Sequence, residues 1–341
     1  MKQSRKIKIA IAFLLFLALI QPAIASAQKV ILFSWDGVQK NHLFEMLANG
    51  ELQNLSRIKS EGIIRDLTIY DHFNTETAPG HAELLSGYGE AKNGVKNNGD
   101  SLLDGISIFE KLECYDSNIA TGAIFGKNRP HFPAALMKNA SIDIDWYLDL
   151  DHWSGWEGYT SNHSYAHSIA SKANEFIDSN KDKSFFLFIH FTDPDTQGHS
   201  YGENSQEYSN AIKEADIGLG IVILELEKLG IYHQVIIIVT TDHGFNEDSK
   251  THNPNIDTRE LWIASNKGNA ISRGVLVEQS SITPTILEIF NINIAPYDYD
   301  GESLYSKETA QVIPEYPSLA LPIVAIIALI LFASHVKRKQ R

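Results

Sequence analysis

Five consecutive β-branched aliphatic residues, 235–239 (VIIIV), lead into Thr240-Thr241-Asp242-His243, and His252 follows on the next stretch of chain. A run with no polar alternation suits a strand covered on both faces, as in the parallel sheet of an α/β protein. Such sheets bind ligands just past the carboxyl ends of their strands. A carboxylate beside an imidazole at that place, with a second imidazole on the following loop, forms half of a metal site. An Asp-His pair after a strand is also an ordinary turn, so the metal reading needs the pattern to recur.

It recurs. Residues 29–34 form a short apolar strand ending at Asp36-Gly37. Asp-Gly alone is a common turn dipeptide. Residues 63–70 form another strand, followed by NTETAPGH at 74–81. Pro79 suits the first turn of a helix, where its missing N–H costs nothing. Thr77 then lies at the helix start, where free N–H groups and the dipole favour an anion. A threonine there is commonly a cap, and as a nucleophile it needs its proton removed, which a metal does. The apolar strand 185–191 leads into DPDTQGH at 193–199, with Asp195 and His199 four residues apart. Asp36, Asp195, Asp242, His199, His243 and His252 make a nitrogen and oxygen donor set that suits two zinc ions, or other divalent cations.

Between these points, helical spacing covers 38–47, 107–114, 164–177, 205–229 and 280–290, and strands are expected at 119–125, 260–264 and 274–277. Residues 87–99 read as a loop. Periodicity fades over 126–165, where Trp146, Trp153 and Trp156 gather. That stretch reads as an inserted lid whose aromatics form either a local core or a wall of the substrate cleft. The expected fold is a three-layer α/β/α sandwich with a mostly parallel central sheet and a small inserted lid, spanning 28–312.

The ends read differently. Lys2, Arg5, Lys6 and Lys8, the apolar run 9–20 and Ala25-Ser26-Ala27 form a signal peptide over 1–27. Residues 313–318 read as a linker and 319–336 as a transmembrane or sorting-signal segment, followed by the basic tip 337–341. This order places the body outside the cell, anchored by its C-terminus. Setting aside the eight terminal lysines and arginines leaves 21 basic residues against 42 acidic ones. A body so acidic argues against duplex nucleic acid as a partner. Cys114, the sole cysteine, excludes an intrachain disulfide and is expected to pack as a small buried hydrophobe. Sequons stand at Asn54, Asn139 and Asn162.

In order and spacing, FSWDG at 33–37, TAPGH at 77–81, DPDTQGH at 193–199, TDHGF at 241–245, His252 and the helix SITPTILEIF at 281–290 resemble the alkaline phosphatase superfamily. Within it they resemble the nucleotide pyrophosphatase/type I phosphodiesterase branch. The resemblance implies one zinc held by Asp195, His199 and His252, and a second by Asp36, Asp242 and His243, with Thr77 bridging toward substrate. Asn98 falls where this branch places an asparagine that hydrogen-bonds a phosphate oxygen, after a loop at 88–97 that departs from the family pattern. Ile313-Pro314-Glu315-Tyr316-Pro317 before the apolar segment resembles an archaeal PEF-type sorting signal. That likeness implies tail removal by an archaeosortase and a lipid in its place.

The resemblance implies a zinc-dependent hydrolase of phosphate esters, working through a phospho-threonine at Thr77, and the signal peptide adds that it is exported. Its substrate would be a nucleotide, a lipid headgroup or a glycan phosphate. Sulfatases of the superfamily resemble a Cys or Ser pattern followed by Pro and Arg, and Thr77-Ala78-Pro79-Gly80 has neither the Cys or Ser nor the Arg. Arg65, Arg129, Arg259 and Arg273 stand in no position recognisable as the arginine clamp of the phosphomonoesterase-like branch, which favours diesters. A phospho-headgroup transferase, a sulfatase-like esterase and a non-catalytic metal-bound surface protein are the alternatives.

Overall fold

The computed structural model describes residues 27–69, 74–126, 146–149, 165–274 and 277–307. The chain divides into two compact units, Met1–Tyr305 and Ser306–Arg341, and the architecture below is that of the first. Its strands are β1 (Lys29–Trp35), β2 (Ile63–Thr68), β3 (Ala120–Phe125), β4 (Trp146–Asp149), β5 (Phe185–Phe191), β6 (Val235–Thr240) and β7 (Glu260–Ser265). They form one sheet in the order β2-β7-β6-β1-β5-β3-β4. β1 pairs in parallel with β5 and β6, and β3 in parallel with β5 and β4. β7 runs antiparallel to both of its neighbours.

Eight helices longer than one turn are described: α1 (Lys40–Ala48), α2 (Gln53–Glu61), α3 (Thr77–Ser86), α4 (Ile108–Tyr115), α5 (Tyr165–Asn180), α6 (Asp193–Tyr201), α7 (Gln206–Lys228) and α8 (Ile282–Ile289). They cover the sheet on both faces because the central strands are apolar on both. Along β1, Ile31, Phe33 and Trp35 enter a core shared with α1, α2, α5 and α7. Val30 and Leu32 enter a second core with α3, α4 and α8. The period-two alternation of a strand thus builds two hydrophobic layers from one sequence run. This is the three-layer sandwich that the apolar runs predict.

The described residues depart from expectation at several points. Within the expected strand at 274–277, residues 275 and 276 lie outside the described residues, and just past it Glu278 forms a single parallel bridge with Thr68. Residues 146–149 of the expected lid extend the sheet as β4; 127–145 and 150–164 lie outside the described residues, as do Arg129, Trp153, Trp156, Asn139 and Asn162. Cys114 is exposed rather than buried. It stands two residues past the buried Leu112 of α4, about 200° around the helix and so on the opposite face. At the Asn54 sequon the side-chain amide is engaged, donating to the Asp216 carbonyl at 2.9 Å. No described helix is long and apolar enough to cross a membrane, and 319–336 lies outside the described residues.

The helix α2, unmarked in the sequence, is started from a distance. Its N-cap Leu52 supplies no side-chain bond. Asp216 of α7, 3% exposed, accepts the Asn54 N–H at 3.0 Å and the Leu55 N–H at 2.7 Å. Burial pushes the Asp216 carboxyl up from its ordinary value, against the backbone bonds that pull it down. Asp216→Ala is expected to lower unfolding free energy by about 1–3 kcal/mol, the scale of a lost cap and two orphaned donors. Asp216→Asn keeps one acceptor without the charge and should lose less. Urea unfolding of the three proteins measures this; equal stabilities would remove Asp216 as the cap.

Candidate active site

Three neighbouring parallel strands end level with one another. Ser34 of β1 is in register with Thr240 of β6 on one side and His190 of β5 on the other. Whatever follows these strands therefore arrives at one edge of the sheet, the place where α/β folds bind ligands. Asp36 follows β1, Asp195 follows β5, and Asp242 and His243 follow β6. The turn after Asp36 is fixed from three sides. Asp36 N–H donates to Phe191 O at 2.9 Å, Gly37 N–H to Asp242 Oδ1 at 3.1 Å and Val38 N–H to Thr241 Oγ1 at 3.1 Å. The buried Tyr208 hydroxyl donates to Gly37 O at 2.6 Å and accepts Gln39 N–H at 2.9 Å. Burial raises that phenol well above its ordinary pKa, so it remains a donor.

The expected ligands converge as two groups, Asp195–His199–His252 and Asp36–Asp242–His243, and within each the ligand atoms lie within 4.8 Å of one another. Asp195 and His199 share one face of α6 because they are four residues apart on a helix. In the first group, Asp195 Oδ1 lies 3.3 Å from His199 Nε2 and 3.8 Å from His252 Nε2, and the two imidazole nitrogens are 3.1 Å apart. In the second, His243 Nε2 lies 3.5 Å from both Asp36 Oδ1 and Asp242 Oδ2, all wholly buried. A tetrahedral ion with bonds of about 2.0–2.1 Å separates its ligand atoms by about 3.3–3.4 Å. Both groups fit a cation of that size, and both offer the nitrogen and oxygen donors zinc takes.

The imidazoles are set for ligation. His199 Nδ1 donates to Lys250 O at 2.9 Å and His243 Nδ1 to Gly244 O at 3.0 Å. Each bond fixes the tautomer that leaves the Nε2 lone pair facing the other ligands. Burial, reinforced by His243 nearby, pushes His252 down to about 3, so its ring is neutral at pH 7.

Thr77 opens α3 and is 2% exposed. Its segment is tied to both groups. His81 Nδ1 donates to Thr77 O at 2.8 Å and lies 3.3 Å from Asp242 Oδ2. Gly80 lets the helix approach closely, since a Cβ there would lie 2.7 Å from Asp242 O. On the other side, Thr75 Oγ1 donates to the carbonyl of His252. Asn98 is held beside the same turn: its Oδ1 accepts Ala78 N–H at 2.9 Å and its own N–H donates to Glu76 Oε2 at 2.6 Å. With Oδ1 so occupied, the Nδ2 group is the side-chain donor left for an anion at Thr77. Arg65 is committed elsewhere, to the carbonyls of Ile271, Arg273 and Gly274 at 2.7–2.8 Å.

Two buried histidines were not assigned a role from sequence. His190 Nε2 donates to Asp36 Oδ2 at 2.9 Å while its Nδ1 accepts Gly126 N–H at 3.3 Å. His81 joins Asp242, Thr77 and Ser34 Oγ, the last at 2.8 Å. His190 holds Asp36 from behind, by the oxygen that faces away from His243, whereas His81 stands beside the Asp242 oxygen that faces His243. One signal was present: His190 is the only polar residue in the strand FFLFIHF.

A family model for type I phosphodiesterase / nucleotide pyrophosphatase matches residues 30–111 and 115–314. The bis(5'-adenosyl)-triphosphatase enpp4 of Mus musculus is 24% identical over 242 residues, 69% of this chain and 51% of that protein. Ectonucleotide pyrophosphatase/phosphodiesterase family member 5 of Homo sapiens is 25% identical over 231 residues, 65% of this chain and 46% of that protein. The chain thus spans about half the length of the curated relatives it matches. Murine ectonucleotide pyrophosphatase/phosphodiesterase 5, in an inactive form in complex with AMP, superposes with a TM-score of 0.56 at 16% identity, covering 78% of this chain and 96% of that one. A 2-O glycosaminoglycan sulfatase superposes with a TM-score of 0.61 at 12% identity, covering 82% and 73%. These superpositions speak for a shared fold.

Gly37 tests how tightly the site is built. Its φ is +69°, and a Cβ would lie 2.8 Å from the Phe245 ring and 3.2 Å from Asp195. Gly50 has nearly the same φ, +74°, with nothing within 4 Å. Gly50→Ala should cost about 1 kcal/mol for the left-handed backbone alone. Gly37→Ala should cost about 1–3 kcal/mol more, through overpacking. Denaturant unfolding with chelator present separates the two, and equal losses would show that Phe245 and Asp195 have room to yield.

Proposed function

The chain belongs to the type I phosphodiesterase/nucleotide pyrophosphatase family of the alkaline phosphatase superfamily, and from that premise we propose that it is an exported, zinc-dependent hydrolase of phosphate diesters with Thr77 as nucleophile. What supports the reading is that two three-ligand groups form and contact the chain on either side of Thr77, one through Thr75 and one through His81.

Asp195, His199 and His252 would hold one ion, and Asp36, Asp242 and His243 the other. Bound there, zinc supplies a lowered pKa for the hydroxyl and neutralises charge on the phosphoryl oxygens. Thr77 Oγ releases its proton to solvent and attacks phosphorus; the P–O bond to the alcohol breaks and the alcohol leaves with a proton from solvent. Water then attacks the phospho-threonine, giving the phosphomonoester and restoring the hydroxyl. The amino end of α3 favours the anion electrostatically. Asn98 Nδ2 donates to a non-bridging oxygen of the phosphoryl group. Export and C-terminal tethering are supported by the sequence patterns of 1–27 and 319–341.

The test is an assay of the purified chain on bis-p-nitrophenyl phosphate, p-nitrophenyl phosphate and p-nitrophenyl sulfate. The diester should turn over fastest and the sulfate hardly at all. Chelation should abolish activity and zinc restore it. Thr77→Ala should lose at least about 100-fold in kcat, the scale of removing a group on which the chemical step depends. Turnover indifferent to both chelator and Thr77→Ala would overturn the proposal.

A further inference from the structure

A second line of contacts, outside the chemistry above, joins the two groups. Glu203 stands four residues past His199 and is 1% exposed. One carboxylate oxygen accepts the His42 Nδ1 hydrogen at 2.6 Å and the other accepts Asp248 N–H at 3.3 Å. His42 belongs to α1, the helix that starts just after Asp36-Gly37. Its Nε2 meets Ser209 Oγ at 2.9 Å, and its ring stands edge-on to Tyr208, the residue that holds Gly37. Asp248 has a φ of +54°, a left-handed conformation that a non-glycine residue keeps only when its surroundings hold it there.

The stretch 246–252 carries both Lys250 O, which fixes the His199 tautomer, and His252 itself. It is stitched to the end of α6 at several points. Glu203 N–H donates to Ser249 O at 2.8 Å, Lys250 Nζ to Ser200 O at 2.7 Å, and the Asn204 amide to Asp248. Of these partners Glu203 alone also reaches α1.

We propose that Glu203, locked by His42, is a positioning residue for the Asp195–His199–His252 group. It holds the 246–252 stretch so that His252 faces Asp195 and His199, and so links that group's grip on a divalent cation to the helix following Asp36. This rests on the metal reading given above. A contact that served only the fold would lower stability without singling out one cation.

The full chain is stripped with chelator and titrated with zinc against a chromophoric chelator. Wild type should bind two ions. Glu203→Ala should bind one of them about 10–100-fold more weakly, the scale of losing a supporting contact behind a ligand, with the other unchanged. Glu203→Gln should bind both within a few-fold of wild type, since its oxygen accepts Asp248 N–H and its NH2 donates to His42 in the other tautomer. In a His252→Ala background, where that group is already broken, Glu203→Ala should not weaken the remaining ion. If Glu203→Ala does not fold, His42→Ala carries the same titration with the same expectation. Unchanged affinity for both ions, or equal weakening of both, overturns the proposal. A wild-type chain that binds no zinc overturns the metal reading itself, a distinguishable failure.

Discussion

Two wholly buried carboxylates, Asp36 and Asp242, face the same imidazole nitrogen at 3.5 Å each. Like charges brought together out of water are unfavourable unless a cation or a set of donors compensates them. Much of the site answers that constraint. Gly37 N–H and His190 each take one outer oxygen, and His81 stands beside Asp242. What remains between the inner atoms is a space of the size and donor type that a tetrahedral divalent ion fills.

The sheet makes this possible through register. Because β6, β1 and β5 are parallel and end level, three residues far apart in sequence are delivered to one edge without long loops. The two apolar faces of those strands are covered by separate helical layers. That rigid sandwich holds ligand atoms at separations that a loop-built site would not keep. Asp195 and His199 gain the same precision from α6, one turn apart.

Sulfatase and phosphodiesterase structures superpose on this chain about equally well. Fold alone therefore does not choose the chemistry, which depends on the side chains grafted onto it. In the proposed reading the choice turns on Thr77 at the head of α3, with Asn98 held beside it through Ala78 N–H. The acidic body and the taking up of Arg65 by backbone carbonyls add to the same picture.

The sequence by itself determined the apolar strands, the ligand types after them and the helical spacing of Asp195 and His199, because each is local: a period, a run or a short motif. It also pointed to the three layers, since β-branched runs without a polar face need cover on both sides. Only the tertiary structure decided the antiparallel β7, the start of α2 at Asp216, and the partners of His190, His81 and Glu203. Many of these partners lie 45 to 162 residues away, and a buried polar side chain is defined by the partner that satisfies it. Cys114 shows the converse. Its residue type suggested burial, and the turn of the helix put it in water.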